Sequence, residues 1–251
     1  MDGKLEEKLL IARVVDAVAL CEKQNCIKAV GFLTPAEREI VRKNIPRALV
    51  KTAFFGGYPD AERTIFAALP DYLEEEDLGD LLSVVEISGR DIGSLRHPDF
   101  LGSLLGLGIK REKIGDIVVL DDKCLVFVAE NIGGYITENL TKIGRCGANV
   151  RIVPASQAEI PPRRVEVSGH TVSALRLDSI VAAATKTSRS VAAEYISAGR
   201  VFVNWTEIQN VSLKMKLGDV FSVRGYGRFR LLEEVRETKK GRLGIQIEKL
   251  L

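Results

Sequence analysis

Side chains that can bind a phosphate backbone are concentrated between Val172 and Arg230. Guanidinium and ammonium groups there border short apolar runs. Cations at helix starts, turns and strand ends can reach a polyanion while the apolar residues stay in a core. Nine cations share such positions: Arg176, Lys186, Arg189, Arg200, Lys214, Lys216, Arg224, Arg228 and Arg230. This pattern favours recognition of a nucleic acid backbone by a small folded domain.

The distribution of charge supports a polyanionic partner for the C-terminal third. Residues 163–251 carry 16 Lys and Arg against 9 Asp and Glu, a net charge of +7, whereas residues 1–162 carry a net charge of −5. The alternative is that these cations only solvate a small domain. A basic third attached to an acidic remainder argues against that alternative, because the cations are not spread evenly.

The segment from Arg224 to Arg230 reads RGYGRFR and has two interpretations. Its glycines let the backbone approach a phosphate, its arginines supply paired donors, and Tyr226 could stack on an unpaired base. Alternatively, the segment is a twisted hairpin whose aromatic rings alternate into the core. We expect the arginines to contact RNA, and the role of Tyr226 stays open.

Four sequence motifs that could indicate catalysis are each better explained by a structural role. Gly102–Gly108 lacks the Lys-Ser/Thr pair of a phosphate loop, and its apolar interior favours helix packing. His97–Asp99 fits a helix start, with Pro98 in the first turn. Arg176–Asp178 matches the R-L-D of pseudouridine synthases only superficially, so Asp178 is expected to pair with an arginine. Lys186–Arg189 resembles a synthetase loop, but no partner motif accompanies it.

Metal and cofactor chemistry is not expected either. The four cysteines form no C-x-x-C pair and the chain has two histidines, so we predict no zinc site, no other metal site and no cofactor. Scattered thiols fit a reducing cytoplasm. No apolar run approaches the roughly 20 residues that span a bilayer, and the amphipathic N-terminus is a helix and not a signal peptide. We therefore predict a cytoplasmic protein without a membrane partner.

The basic residues require a specific set of elements to position them. Apolar spacing predicts a helix over residues 176–184, and Thr187 or Ser188 can cap a second helix that ends at Ala198-Gly199. Strands over residues 201–203 and 220–223 follow, with a turn at residues 217–219.

The preceding 160 residues divide by pattern into two further regions. Residues 1–75 are predicted to be helical, with a capped helix start at Thr34–Glu37 and a helix resuming over residues 61–69. Residues 76–160 alternate in the order β-α-β-β-α-β, with strands over 82–87, 117–120, 123–129 and 149–153 and helices over 97–105 and 131–142. That order is typical of a ferredoxin-like or RRM-like sandwich, and residues 154–162 are a plausible linker.

The order of signals after Val172 resembles the S-four domain, the alpha-L RNA-binding fold named after a small-subunit ribosomal protein. Longer motifs spread over nearly the whole chain resemble the bacterial YlmH family: residues 55–63, 97–111, 135–140, 175–178, 203–205 and 222–228. Trp205 stands where many S-four domains carry glycine, and it agrees with the YlmH pattern. It could serve as a base-stacking platform or cover a seam between domains.

The resemblance implies a fold and a function. The fold class is α+β: an N-terminal helical domain (1–75), a ferredoxin-like (RRM-like) domain (76–160) and an S-four-type alpha-L domain (161–251). The implied function is non-catalytic RNA binding on the large ribosomal subunit, with ribosomal RNA and peptidyl-tRNA as partners, in ribosome-associated quality control. The expected RNA contacts, of which Ser188 can equally be a helix cap, are Arg176, Lys186, Ser188, Arg189, Arg200, Lys214, Arg224 and Arg228.

Two alternatives remain open. The first is an rRNA-modifying enzyme that uses the S-four domain for targeting, which requires a catalytic aspartate or a cofactor loop in residues 80–155. The second is an adaptor of the cell-division apparatus, for which the basic terminus would be incidental.

Overall fold

The computed structural model of the protein describes residues 2–45, 49–162, 165–237 and 241–250. The chain forms two compact units, Met1–Ile160 (unit 1) and Pro161–Leu251 (unit 2). Within unit 1, the predicted division between residues 75 and 76 stays a prediction.

The first part of unit 1 combines two helices with a three-stranded antiparallel sheet. Its elements are α1 (Asp2–Gln24), β1 (Lys28–Leu33), α2 (Pro35–Asn44), β2 (Lys51–Phe55) and β3 (Thr64–Leu69). The strands lie in the order β1-β3-β2. Thr34 caps α2 and forms a capping box with Glu37, which confirms the predicted helix start.

The expectation of a helix over residues 61–69 is wrong, and the N-terminal region is not purely helical. Thr64–Leu69 is the central strand of the sheet, and all six of its residues are buried. Phe66 and Ala68 pack toward α1, whereas Ile65 and Ala67 pack on the opposite face. A strand covered on both faces shows no polar alternation, so its sequence cannot be distinguished from a buried helix by periodicity.

The second part of unit 1 has the predicted β-α-β-β-α-β order. Its elements are β4 (Leu82–Ser88), α3 (His97–Gly106), β5 (Ile114–Val119), β6 (Lys123–Ala129), α4 (Glu130–Asn139), β7 (Lys142–Ile143), β8 (Cys146–Gly147) and β9 (Asn149–Val153). The four long strands form an antiparallel sheet in the order β5-β6-β4-β9, the ferredoxin-like arrangement. Helix α4 ends at Asn139, three residues before its predicted end at Lys142. The reason is that β7 and β8 pair with each other as a short two-stranded sheet.

Both faces of this four-stranded sheet are covered. Helices α3 and α4 contribute Phe100, Leu104 and Ile136 to the core on one face. On the other face, Phe127 is fully buried and packs with Phe32, Ile65, Phe55 and Tyr58 from the first part of the unit. The Tyr58 and Phe127 ring centroids are 5.0 Å apart. The face that exposes aromatic rings to RNA in RRM domains is therefore an internal packing surface here.

Unit 2 packs two helices on a six-stranded antiparallel sheet. Its elements are β10 (Val165–Val172), α5 (Leu177–Thr185), α6 (Arg189–Ser197), β11 (Val201–Val203), β12 (Thr206–Glu207), β13 (Val220–Val223), β14 (Gly227–Glu237) and β15 (Leu243–Leu250). The strand order is β10-β15-β14-β13-β11-β12. The core includes Ile180 and Ile196 from the helices and Phe221 and Phe229 from the sheet, whose rings stack with centroids 5.3 Å apart. The predicted helices, turn and two strands are confirmed, whereas β10, β12, β14 and β15 were not predicted.

Candidate RNA-binding site

The start of helix α5 holds a buried carboxylate between two arginines. Asp178 is 5% exposed. The Arg176 Nε donates to its Oδ1 at 3.1 Å, and Arg189 donates a short hydrogen bond to its Oδ2. Burial alone would raise the pKa of Asp178, but the hydrogen bonds from Arg189 and Arg176 outweigh it and hold that pKa below its usual range. Asp178 is therefore ionised at neutral pH and orients both guanidinium groups.

This geometry presents positive charge from fixed positions. Two guanidinium groups share one carboxylate, so a net positive charge remains at the α5 and α6 starts. The side chains of Arg176 and Arg189 are 42% and 53% exposed. Because Asp178 limits their rotamers, less conformational entropy is lost when they contact a phosphate.

Lys214 lies beside Arg176, although 38 residues separate them in the sequence. The two residues form an isolated antiparallel bridge, and the Leu177 N–H donates to the Leu213 carbonyl at 2.9 Å. Arg176 also donates to the Ser212 Oγ at 3.3 Å. Lys214 is exposed. Together Arg176, Arg189 and Lys214 form a group that we call the helix-start cluster.

The turn between α5 and α6 carries Lys186 and Ser188. Lys186 ends α5 in a left-handed conformation (φ +54°) and is exposed. Burial, and then the charge of Lys186, lower the pKa of His170, which indicates that the two side chains are close. The Ser188 Oγ accepts a hydrogen bond from the Val191 N–H at 3.3 Å, so Ser188 caps α6 as one of the two predicted candidates.

Arg200 and Arg224 form a second group, which we call the hairpin pair. The Arg200 guanidinium lies 4.4 Å from the Tyr195 ring centroid and donates to the Arg224 carbonyl at 3.0 Å. The Arg224 guanidinium lies 5.3 Å from the Phe202 ring centroid. The Arg224 N–H donates to the Arg200 carbonyl at 2.9 Å. Each arginine is thus held over an aromatic ring, and Arg224 is exposed.

Tyr226 is engaged within unit 2. Its ring packs against the core. The Tyr226 and Tyr195 ring centroids are 5.6 Å apart, and the two hydroxyl oxygens are 3.0 Å apart. This contact favours the interpretation that Tyr226 supports Tyr195, and through it Arg200. The supporting roles of Tyr195 and Phe202 were not predicted from the sequence. The contact between Phe202 and Arg224 depends on the pairing of β11 with β13, which joins distant residues.

Arg228 belongs to neither of the two groups defined above. It stands on β14 opposite Ser222 of β13 and Leu250 of β15. Its neighbour Phe229 points into the core, so Arg228 lies on the outer face of the sheet. The structure thus brings five of the eight expected contact residues into two groups, places Lys186 and Ser188 on the turn before Arg189, and leaves Arg228 on the sheet.

The patterns considered for catalysis occupy structural positions. Gly102–Gly106 lies inside α3, and the Asp99 carboxylate accepts the Arg96 N–H at 2.8 Å at the start of that helix. In the described parts of the chain, no three or more His, Cys, Asp or Glu side chains gather closely enough to hold a metal ion. No helix among the described residues is both long and apolar enough to cross a bilayer.

Two known domain families match this chain, one in each unit. The family described as "Putative RNA-binding domain in YlmH" matches residues 74–157, and the S-four domain (S4) matches residues 175–221. The chain is 31% identical over 245 residues to the "Ribosome-associated protein quality control protein P2" of Bacillus subtilis (strain 168), covering 97% of this chain and 95% of that protein.

The chain belongs to the YlmH family.

The YlmH assignment agrees with the expected resemblance and with the mixed α and β fold. A solved structure, "Cell division protein ylmH from Streptococcus pneumoniae", superposes with a TM-score of 0.53 over 62% of this chain and 95% of that chain. At 18% identity, that likeness shows the fold alone. The two matched domains, one in each unit, identify this YlmH protein as an RNA-binding protein.

Proposed function

We propose that this protein is a non-catalytic factor that binds ribosomal RNA on the large ribosomal subunit in the cytoplasm. There it contacts peptidyl-tRNA during ribosome-associated quality control. The observation that carries the proposal is the Bacillus subtilis relative named for that process, with which 97% of the chain aligns at 31% identity. An alignment over nearly the whole length includes both matched RNA-binding domains, so the proposal concerns the whole protein.

The helix-start cluster and the hairpin pair support this function physically. Both groups present arginines whose guanidinium groups are oriented before any ligand arrives, by Asp178 in one case and by aromatic rings in the other. Guanidinium groups bind phosphate oxygens through two parallel hydrogen bonds, and their planes can stack on unpaired bases. We assign the RNA contacts to Arg176, Lys186, Arg189, Arg200, Lys214, Arg224 and Arg228, with Ser188 at the same turn.

The state of Asp178 favours a binding role over catalysis. A catalytic aspartate needs oxygen atoms that are free to reach a substrate. Each oxygen of Asp178 already accepts a hydrogen bond from an arginine. An rRNA-modifying activity would therefore have to use other residues, and deletion of the gene should leave the modification pattern of ribosomal RNA unchanged.

Cosedimentation tests the proposal directly. The purified protein is sedimented over a salt series with small subunits, large subunits, and large subunits carrying peptidyl-tRNA. We expect retention on large subunits, strongest with peptidyl-tRNA, and an affinity that falls by roughly 0.7 to 0.9 log units per phosphate contact per tenfold rise in salt. Equal binding to both subunits, or no binding at low salt, would contradict the proposal.

Arg224→Gln is the informative variant, with Arg42→Gln as its matched control. Each arginine lies 5.3 Å from a phenylalanine centroid, Phe202 for Arg224 and Phe54 for Arg42, but Arg42 belongs to α2 of unit 1. Loss of one phosphate contact should reduce the salt slope by nearly one unit for Arg224→Gln. Arg42→Gln should retain the wild-type slope. The same loss in both variants would show that only overall charge matters.

A further inference from the structure

The hairpin between β11 and β12 has a bulky residue where its geometry favours glycine. Val203 pairs with Thr206, so Asn204 and Trp205 form a two-residue loop. Their φ angles are +45° and +63°. Two-residue loops with positive φ at both positions favour Asn followed by Gly, because a side chain at the second position is crowded. Asn204 follows this preference, and Trp205 does not.

Surrounding hydrogen bonds hold the loop in this conformation. Asn204 Nδ2 donates to Asp219 Oδ1 at 2.8 Å, and Asn204 Oδ1 accepts the Val220 N–H at 3.1 Å. The Asn204 N–H donates to the Val220 carbonyl at 2.8 Å. Asp219 Oδ2 also accepts the Lys216 N–H at 2.7 Å, so the backbone of the exposed Lys216 is tied to the same carboxylate. Trp205 is therefore presented from a braced loop that is tied through Asn204 and Asp219 to the backbone of Lys216.

The fold of unit 2 does not use the indole ring in its core. The hydrophobic core of the unit includes Phe221 and Phe229, and Tyr226 packs against it, but Trp205, which is half-buried, does neither. Among residues 165–237 and 241–250, Trp205 has no aromatic or guanidinium partner and no side-chain hydrogen bond. A strained conformation that the core does not require points to a binding role.

We propose that Trp205 is a stacking platform for an unpaired RNA base, with Lys216 contacting a neighbouring phosphate. This inference rests on the proposed RNA-binding function. It assigns to that function a residue that distinguishes unpaired from paired bases and does not act through charge. Every base has a π-face, so the platform selects unpaired nucleotides over paired ones without selecting a particular base.

The single tryptophan of the chain makes this proposal directly measurable. With excitation that avoids tyrosine, all emission comes from Trp205. Two probes are compared: an RNA hairpin with an unpaired purine loop, and a fully paired RNA duplex of the same nucleotide number. At equal occupancy, we expect the hairpin to quench Trp205 emission and the duplex to leave it nearly unchanged, because a paired base cannot stack on the indole.

Trp205→Gly separates binding from stability. Glycine suits a φ of +63°, so the melting temperature of unit 2 should be unchanged or higher. Affinity for the looped hairpin should fall about 5-fold to 150-fold, the usual effect of removing one base-stacking ring. Duplex affinity should stay at the wild-type value. Trp205→Phe keeps an aromatic face and should recover most of the preference for the hairpin.

Two results would overturn the inference and leave the RNA-binding function intact. One is binding of both probes by the wild-type protein without quenching. The other is an unchanged hairpin preference in Trp205→Gly, and a lower melting temperature in that variant would then assign Trp205 to packing. If the wild-type protein bound neither probe at low salt, the inference and the proposed function would fail together.

Discussion

At the scale of single residues, Asp178 has the greatest influence on the candidate site. Its carboxylate is nearly fully buried, and two exposed arginines neutralise it. A buried carboxylate is tolerated only when its oxygens are paired, so the arginines stabilise Asp178 and Asp178 orients the arginines. Under the proposed function, stability and RNA binding are coupled at this one side chain.

Asp178→Asn should therefore weaken both properties at neutral pH. Loss of the charge-assisted hydrogen bonds should lower the free energy of unfolding of unit 2 by about 1–3 kcal/mol, measured by urea denaturation. Because the folded pKa of Asp178 is lowered, its contribution is complete above the unfolded value of about 3.9 and is lost as the pH falls through the folded pKa. The difference in the free energy of unfolding between the wild type and Asp178→Asn should therefore become smaller at acidic pH.

Glu86→Gln is the matched control for that substitution. Glu86 is 7% exposed and is paired with Lys123 and Arg151 in unit 1. Burial opposes the ionisation of Glu86, but hydrogen bonds from both cations lower its pKa. Glu86→Gln should destabilise unit 1 and leave the affinity of unit 2 for RNA unchanged. An equal loss of RNA affinity in both variants would mean that Asp178 acts only through general stability.

At the scale of elements, the start of α6 joins a helix cap to the candidate RNA surface. Ser188 satisfies the Val191 N–H, and Arg189 follows it as the first residue of the helix. A cap that is one residue from Arg189 determines where this arginine, which we propose to bind RNA, begins to project. In the proposed function, Ser188 therefore acts on RNA through the position of α6, whether or not its hydroxyl touches a phosphate.

Two substitutions at Ser188 separate capping from charge. Ser188→Ala should lower the free energy of unfolding by about 0.5–2 kcal/mol, because the cap hydrogen bond is lost. Ser188→Asp keeps a capping oxygen and should retain most of the stability, but its negative charge should weaken RNA binding. Thermal melts and RNA titrations measure the two effects. If Ser188→Asp bound RNA with wild-type affinity, the turn before α6 would not be part of the RNA-binding surface.

At the scale of the whole molecule, the two units carry opposite charge and different matched domains. The acidic unit 1 contains the match to the YlmH domain over residues 74–157, and the basic unit 2 contains the S-four match. In unit 1, the sheet face around Phe127 is filled by side chains such as Phe32 and Tyr58. RNA contact by this unit therefore has to use loops, edges or helices, because its aromatic sheet residues are not accessible.

Phe127→Ala tests this arrangement. Removing a fully buried ring should lower the stability of unit 1 by about 3–5 kcal/mol, seen as an earlier transition in calorimetry. At temperatures where the variant remains folded, its RNA affinity and salt slope should match the wild type. A selective loss of affinity for single-stranded RNA in the folded variant would instead identify the sheet face as a base-stacking platform.

Local signals were sufficient for the elements that present the candidate site. Apolar spacing predicted α5, the hydroxyl of Thr187 or Ser188 marked the start of α6, and Ala198-Gly199 marked its end. These features depend on interactions within about four residues, so the sequence alone contains their physical causes. The strand and helix order of residues 82–153 was predictable for the same reason.

Long-range pairing decided what those signals could not. β3 was mistaken for a helix because burial on both faces removes polar alternation, and the partners that bury it come from other parts of the chain. Likewise, the sequence by itself determined an RNA-binding family and a set of basic residues. Only the tertiary structure decided that Arg176 adjoins Lys214, that Phe202 supports Arg224 and that Phe127 is covered, because these contacts join residues distant in the chain.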